Sequence, residues 1–126
     1  MLKLPNTRNL LLEHEGSVLT IWLNRPEVKN ALVDDMVEEL HAVLDAARTD
    51  SDMRTLVIRG KGGVFCAGGD ITAMYKTALT GDFDYGRQFW TDEYRLNAKL
   101  ATSHKPIISF LHGFTMGGGV GLGCHL

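Results

Sequence analysis

The chain is poor in the features that usually announce a function. Only two of its 126 residues are cysteines, Cys66 and Cys124, and they are far apart, form no CxxC and have no companions at metal-ligand spacing. That excludes a disulfide scaffold and predicts a reduced, intracellular setting. Five histidines (His14, His41, His104, His112, His125) show neither HxxxH nor HExxH spacing, so no metal site is expected. No GxSxG elbow is present. Basic runs interleaved with aromatics are missing and the net charge is −2, so nucleic acid is not an expected partner. No apolar run approaches membrane-spanning length. The opening residues, MLKLPNTRN, have neither the apolar core of a signal peptide nor the Arg-rich pattern of a transit peptide, so the expected location is the cytoplasm and no membrane partner is implied.

What is present reads as one α/β domain, long enough for a single hydrophobic core. Leu10 to Leu12 and the β-branched run Val18 to Leu23 flank Glu15-Gly16, the pattern of a hairpin, and Asn24-Arg25-Pro26 ends its second strand. Asn30 is expected to cap a helix whose apolar residues Val33, Met36, Val37, Leu40, Val43, Leu44 and Ala47 recur at steps of three and four. Asp34, Asp35, Glu38 and Glu39 in its early turns suit the helix dipole. Thr55 to Arg59, bounded by Gly60, is expected to be a strand covered on both faces. A short helix over Ile71 to Thr77, a long one over Tyr85 to Thr102, a strand over Pro106 to Leu111 and a helix start beyond the last glycines complete the order.

Two glycine-rich turns, Gly60 to Gly69 and Gly117 to Gly119, each follow a strand and lead into a helix, so they can face each other. Backbone of this kind exposes N–H donors to an anion, or to an oxygen becoming one. A tight packing point is the other use of the same glycines. A phosphate loop is excluded, because Val120 and Gly121 stand where Lys and Ser or Thr are needed, and no frame through Gly117 to Gly123 completes a dinucleotide fingerprint. Asp70 fits a helix cap, with or without a second role. At about 100° per residue, Glu93 falls in the middle of the face formed by Phe89, Trp90, Leu96 and Leu100. A carboxylate on an apolar stripe either lines a cavity or, on a rotated or frayed helix, meets water.

The runs NRPEVKNAL, FCAGGDI and HGFTMGGGVGL, in this order and spacing, resemble the crotonase (enoyl-CoA hydratase/isomerase) superfamily over nearly the whole chain. Within it, FCAGGDI, TDEYRLN and TMGGGVGL are most similar to the 3-hydroxyisobutyryl-CoA hydrolases, the thioesterases of valine breakdown. The resemblance implies a crotonase-like ββα spiral, incomplete at the C-terminus, with residues 1–126 as the N-terminal part of the catalytic domain. It implies a thioester carbonyl held between the N–H groups of Gly69 and Gly118, and substrate contact from Glu93. Ala67, Asp70 and Ile71 would line the CoA groove, with Val28 to Ala31 near its nucleotide end. It also implies an acyl-CoA substrate, no cofactor beyond the coenzyme A that the substrate carries, and a homo-oligomer, since members commonly form trimers or pairs of trimers.

Two departures refine this expectation. Gly121 stands where the hydratases carry a catalytic glutamate, and the chain ends at Leu126, ahead of the motif that holds the hydrolases' acid/base carboxylates. The expected reaction is hydrolysis of 3-hydroxyisobutyryl-CoA to 3-hydroxyisobutyrate and CoA. The alternatives are an enoyl-CoA hydratase or isomerase, and an acyl-CoA-binding piece without activity.

Overall fold

A computed structural model describes residues 4–126. Strands β1 (Leu10–Glu15) and β2 (Val18–Leu23) pair antiparallel around Gly16, whose φ of 60° suits a residue without Cβ. Strand β3 (Thr55–Gly60) runs parallel to β2, and β4 (Ile107–Ser109) parallel to β3, giving the order β1-β2-β3-β4. Parallel neighbours need crossovers. Helix α1 (Asp34–Arg48) carries the chain from β2 to β3, while α2 (Ile71–Leu79) and α3 (Asp84–Ala101) carry it from β3 to β4. A short helix, α4 (Gly118–Gly123), follows β4.

The pairing register explains where the core sits. Leu19 lies opposite Leu56 and Ile21 opposite Ile58, so these side chains share one face of the sheet and are buried there. Met36, Val37, Leu40, Val43, Leu44 and Ala47 of α1, and Phe89, Leu96 and Leu100 of α3, fill the same core. The other sheet face is only partly covered, so β3 is not enclosed on both sides as its apolar run predicts. Its residues alternate buried and half-buried, and on the open side the Arg59 guanidinium lies 4.5 Å from the Trp22 ring centre and 4.7 Å from that of Phe110. The strand predicted over Pro106 to Leu111 is regular only over Ile107–Ser109; Phe110 N makes one more bond to Ile58 O (3.1 Å) before the chain turns at His112-Gly113.

Asn30 does not cap α1. The cap position is Val33, which makes no side-chain capping bond. After a 3-10 turn over Pro26–Val28, Lys29 and Asn30 both take left-handed angles (φ 54° and 57°), which turns the Asn30 amide into the interior. There Oδ1 accepts from Arg25 N (2.8 Å), and Nδ2 faces the carbonyls of Lys61 (3.0 Å), Val64 (3.1 Å) and Phe65 (3.1 Å). Its side chain therefore ties the loop after β2 to the loop after β3.

Candidate active site

The site is built where those two loops meet the glycine turn after β4. Leu32 and Gly69 form an isolated parallel bridge in which Leu32 N donates to Gly68 O (2.8 Å) and Asp70 N donates to Leu32 O (2.7 Å). Successive peptide groups of extended backbone point in opposite directions, so the Gly69 N–H points away from Leu32. A second bridge joins Cys66 to Thr115: Cys66 N donates to Phe114 O (2.9 Å) and Met116 N to Cys66 O (3.1 Å). It brings the two glycine turns into contact. A Cβ on Gly68, which has φ 111°, would lie 3.1 Å from Met116 O and 3.6 Å from Gly118 N.

Gly117 (φ 51°) is the cap position of α4, and Gly118 is its first residue. Among the described residues neither the Gly69 N–H nor the Gly118 N–H has an acceptor, and both glycines line one cavity of about 460 Å³. The cavity lies between α2, α3 and α4, and Ile71, Glu93 and Asn97 also line it. The two glycine-rich turns that the sequence marks thus lie against each other.

Glu93 is buried on the α3 face with Phe89, Leu96 and Leu100, so of the two positions open in the sequence the inward one is occupied. Trp90, expected on that face, lies at its edge and is about half exposed. Among the described residues Glu93 has no salt-bridge or hydrogen-bond partner, and its Oε1 occupies the space that a Cβ on Gly118 would need. Burial raises its pKa above the ordinary carboxylate value. A protonated carboxyl beside free N–H donors adds a donor to the cavity wall, whereas an ionised one would oppose negative charge on a bound oxygen.

Asp70 caps α2 by accepting from Thr72 N (3.0 Å), and it also pairs with Arg25 Nη2 (3.3 Å). The Thr72 N–H is the main cause holding its carboxyl below the usual range; burial opposes it, and the Thr72 side chain and the Arg25 guanidinium add smaller lowering effects. Arg25 Nη1 donates in addition to Ala31 O. The guanidinium therefore joins the segment of Ala31 and Leu32, which contacts Gly68 and Asp70, to the Asp70 carboxylate itself. Asp70 and Ala67 are not walls of the cavity, whereas Ile71 is. Ala67 N donates to Lys29 O (3.0 Å), which sets the Val28 to Ala31 loop beside the FCAGGDI turn.

Two residues of this region have no role in the sequence reading. Arg25 belongs to the NRP run, but its partner Asp70 is 45 positions away and no local pattern links them. Asn97 carried a signal, being one helical turn after Glu93 on the same face of α3. Cys66, behind the site, is a free thiol that burial pushes up to about 11, which makes it a packing residue and not a nucleophile.

Comparison with known proteins shows the family and the fold. The profile described as Enoyl-CoA hydratase/isomerase matches residues 18–126. The chain is 39% identical over 126 residues to the mitochondrial 3-hydroxyisobutyryl-CoA hydrolase of Rattus norvegicus, covering 99% of this chain and 32% of that protein. It is 36% identical over 116 residues to the probable 3-hydroxyisobutyryl-CoA hydrolase 3 of Arabidopsis thaliana, covering 92% and 31%. The chain thus spans about a third of the length of these relatives. Among solved structures it superposes on an enoyl-CoA hydratase from Rhodobacter sphaeroides (TM-score 0.89, 43% identity, 94% of this chain and 35% of that one). It superposes equally on a carnitinyl-CoA dehydratase from Mycobacterium thermoresistibile (TM-score 0.89, 41% identity, 94% and 35%).

Proposed function

The chain belongs to the enoyl-CoA hydratase/isomerase family, with the crotonase fold, and from that membership we propose that it forms the carbonyl-binding part of an acyl-CoA thioester hydrolase acting on 3-hydroxyisobutyryl-CoA. One observation carries the reading: Gly69 and Gly118 line a single cavity, and among the described residues neither of their backbone N–H groups has an acceptor. Attack of water on a thioester moves negative charge onto the carbonyl oxygen. Donors already aimed at that oxygen stabilise the charge without rearranging, and losing one typically costs about 2.7 to 4 kcal/mol of barrier. In this reading Glu93 contacts the acyl group from the cavity wall, Ile71 borders the CoA side, and Ala67 and Asp70 hold the turn that carries the first donor. The coenzyme A belongs to the substrate, and no further cofactor takes part.

Hydrolysis is preferred to hydration for two reasons. The relatives that match over nearly the whole chain are named as hydrolases, and Gly121 offers no carboxylate at the position the hydratases use. The solved structures named as hydratases and a dehydratase favour the second reading, addition of water to an enoyl-CoA. The deciding experiment uses the natural full-length protein. Release of free thiol from 3-hydroxyisobutyryl-CoA, with no loss of the enoyl absorbance of crotonyl-CoA, supports the hydrolase; the reverse pattern establishes the hydratase.

A further inference from the structure

The cavity contains a polar group with no assigned use. Asn97 lies one turn beyond Glu93 on α3, and its amide rests against Gly121 of α4: a Cβ on Gly121 would lie 2.5 Å from Asn97 Nδ2 and 2.8 Å from Oδ1. The Asn97 amide therefore fills the space that a side chain at position 121 would need. Asn97 is half-buried and lines the cavity, and among the described residues its Oδ1 is buried with no hydrogen-bond donor. Buried polar atoms are paired in nearly all proteins, so an unpaired amide oxygen beside a cavity wall marks a place where a ligand completes the bonding.

The position of the amide indicates the ligand atom. Glu93 sits over Gly118, and Asn97 over Gly121, three residues further along α4. Three residues of helix advance about 4.5 Å. The oxygen of an acyl carbonyl held at the Gly118 N–H lies off the N-terminal end of α4, so an acyl chain that runs back along the helix directs its β-substituent towards the Asn97 amide. A hydroxyl both donates and accepts, so it satisfies the amide in either orientation about its last side-chain torsion. A methyl group would satisfy neither end.

We propose that Asn97 recognises a hydroxyl on the β-carbon of the acyl group and thereby sets the preference of the site for 3-hydroxyacyl thioesters. The inference rests on the functional reading above for where the carbonyl binds, and its test separates the two. Calorimetry on the full-length protein measures binding of two non-hydrolysable CoA thioethers, one carrying the 3-hydroxyisobutyryl skeleton and one the isobutyryl skeleton. The wild type is expected to prefer the hydroxylated compound by about tenfold or more, the size of one neutral hydrogen bond in a desolvated site. In Asn97→Leu, which is close in volume, and in Asn97→Ala, that ratio collapses towards one.

A wild-type ratio near one overturns the inference. So does a ratio that survives both substitutions, or a parallel loss of affinity for both compounds that leaves the ratio unchanged. If the ratio behaves as expected but no thiol is released from 3-hydroxyisobutyryl-CoA, the hydrolase reading fails while the role of Asn97 stands.

Discussion

Substituting Asn30 separates two roles that the same residue type can play. Its amide is fully buried, with Oδ1 accepting from Arg25 N and Nδ2 facing three carbonyl oxygens. Two amide protons serve those three oxygens, so the side chain counts as about three net hydrogen bonds at roughly 1 kcal/mol each. Alanine at φ 57° adds about 1 kcal/mol of backbone cost, which places Asn30→Ala near 4 kcal/mol destabilised. Asn30→Gly escapes the backbone cost and should lie near 3 kcal/mol. Asn30→Asp is the decisive variant. It keeps the acceptor but turns a second oxygen on three carbonyls, so it should be at least as destabilising as alanine. A helix cap would behave in the opposite way, tolerating aspartate and losing only about 1 kcal/mol to alanine. Equilibrium urea unfolding, compared at equal slope, measures all three. An aspartate variant within about 1 kcal/mol of the wild type would refute the role of Asn30 as a strut between the two loops.

Three further outcomes follow from the site. Gly118→Ala and Gly118→Pro both bring a Cβ against Glu93 Oε1, but only proline removes the N–H, and the first position of a helix tolerates it. The proline variant should therefore lose on the order of a hundred- to thousandfold more kcat/KM than the alanine variant, and equal losses would exclude this donor from catalysis. Burial raises the folded-state pKa of Glu93, so folding takes up a proton: the group's contribution to stability is complete below its ordinary 4.5 and is lost as pH rises through the raised value. Glu93→Gln should accordingly raise Tm relative to the wild type at neutral pH and not below about pH 4.5, as thermal scans across that range would register. Cys124 is exposed while Cys66 is buried with its thiol pushed up to about 11, so a thiol reagent at mildly alkaline pH should titrate one group quickly and the second only on unfolding.

Much of the scaffold was legible because it depends on local periodicity. The hairpin around Gly16 and the three-and-four spacing of α1 follow from local pattern alone, whereas the repeat sets Glu93 among apolar neighbours on α3 and leaves open whether it faces a cavity or water. Asn30 was misread because asparagine serves equally as a helix cap and as a left-handed turn residue, and only the carbonyls of Lys61, Val64 and Phe65, more than 30 residues away, decide between them. β3 was expected to be enclosed because a short apolar run carries no sign of which face a neighbour covers. At the site, the two donor turns were visible as motifs, but their contact depends on the bridges Leu32 to Gly69 and Cys66 to Thr115. The Arg25 to Asp70 pair and the unpaired Asn97 oxygen arise from the same long-range approach.

The bridge that fixes Gly69 is made by main-chain atoms on both sides, and the oxygen it would receive is held by main chain as well. Any substitution other than by proline leaves those amides in the chain, so in the proposed reading the grip on the acyl group is largely insulated from drift in sequence. Residues such as those at 97 and 121 are then free to vary without dismantling the grip. A scaffold divided in this way can change its chemistry while keeping its hold on the thioester, which fits the range of names, hydratase, dehydratase and hydrolase, borne by the proteins it resembles.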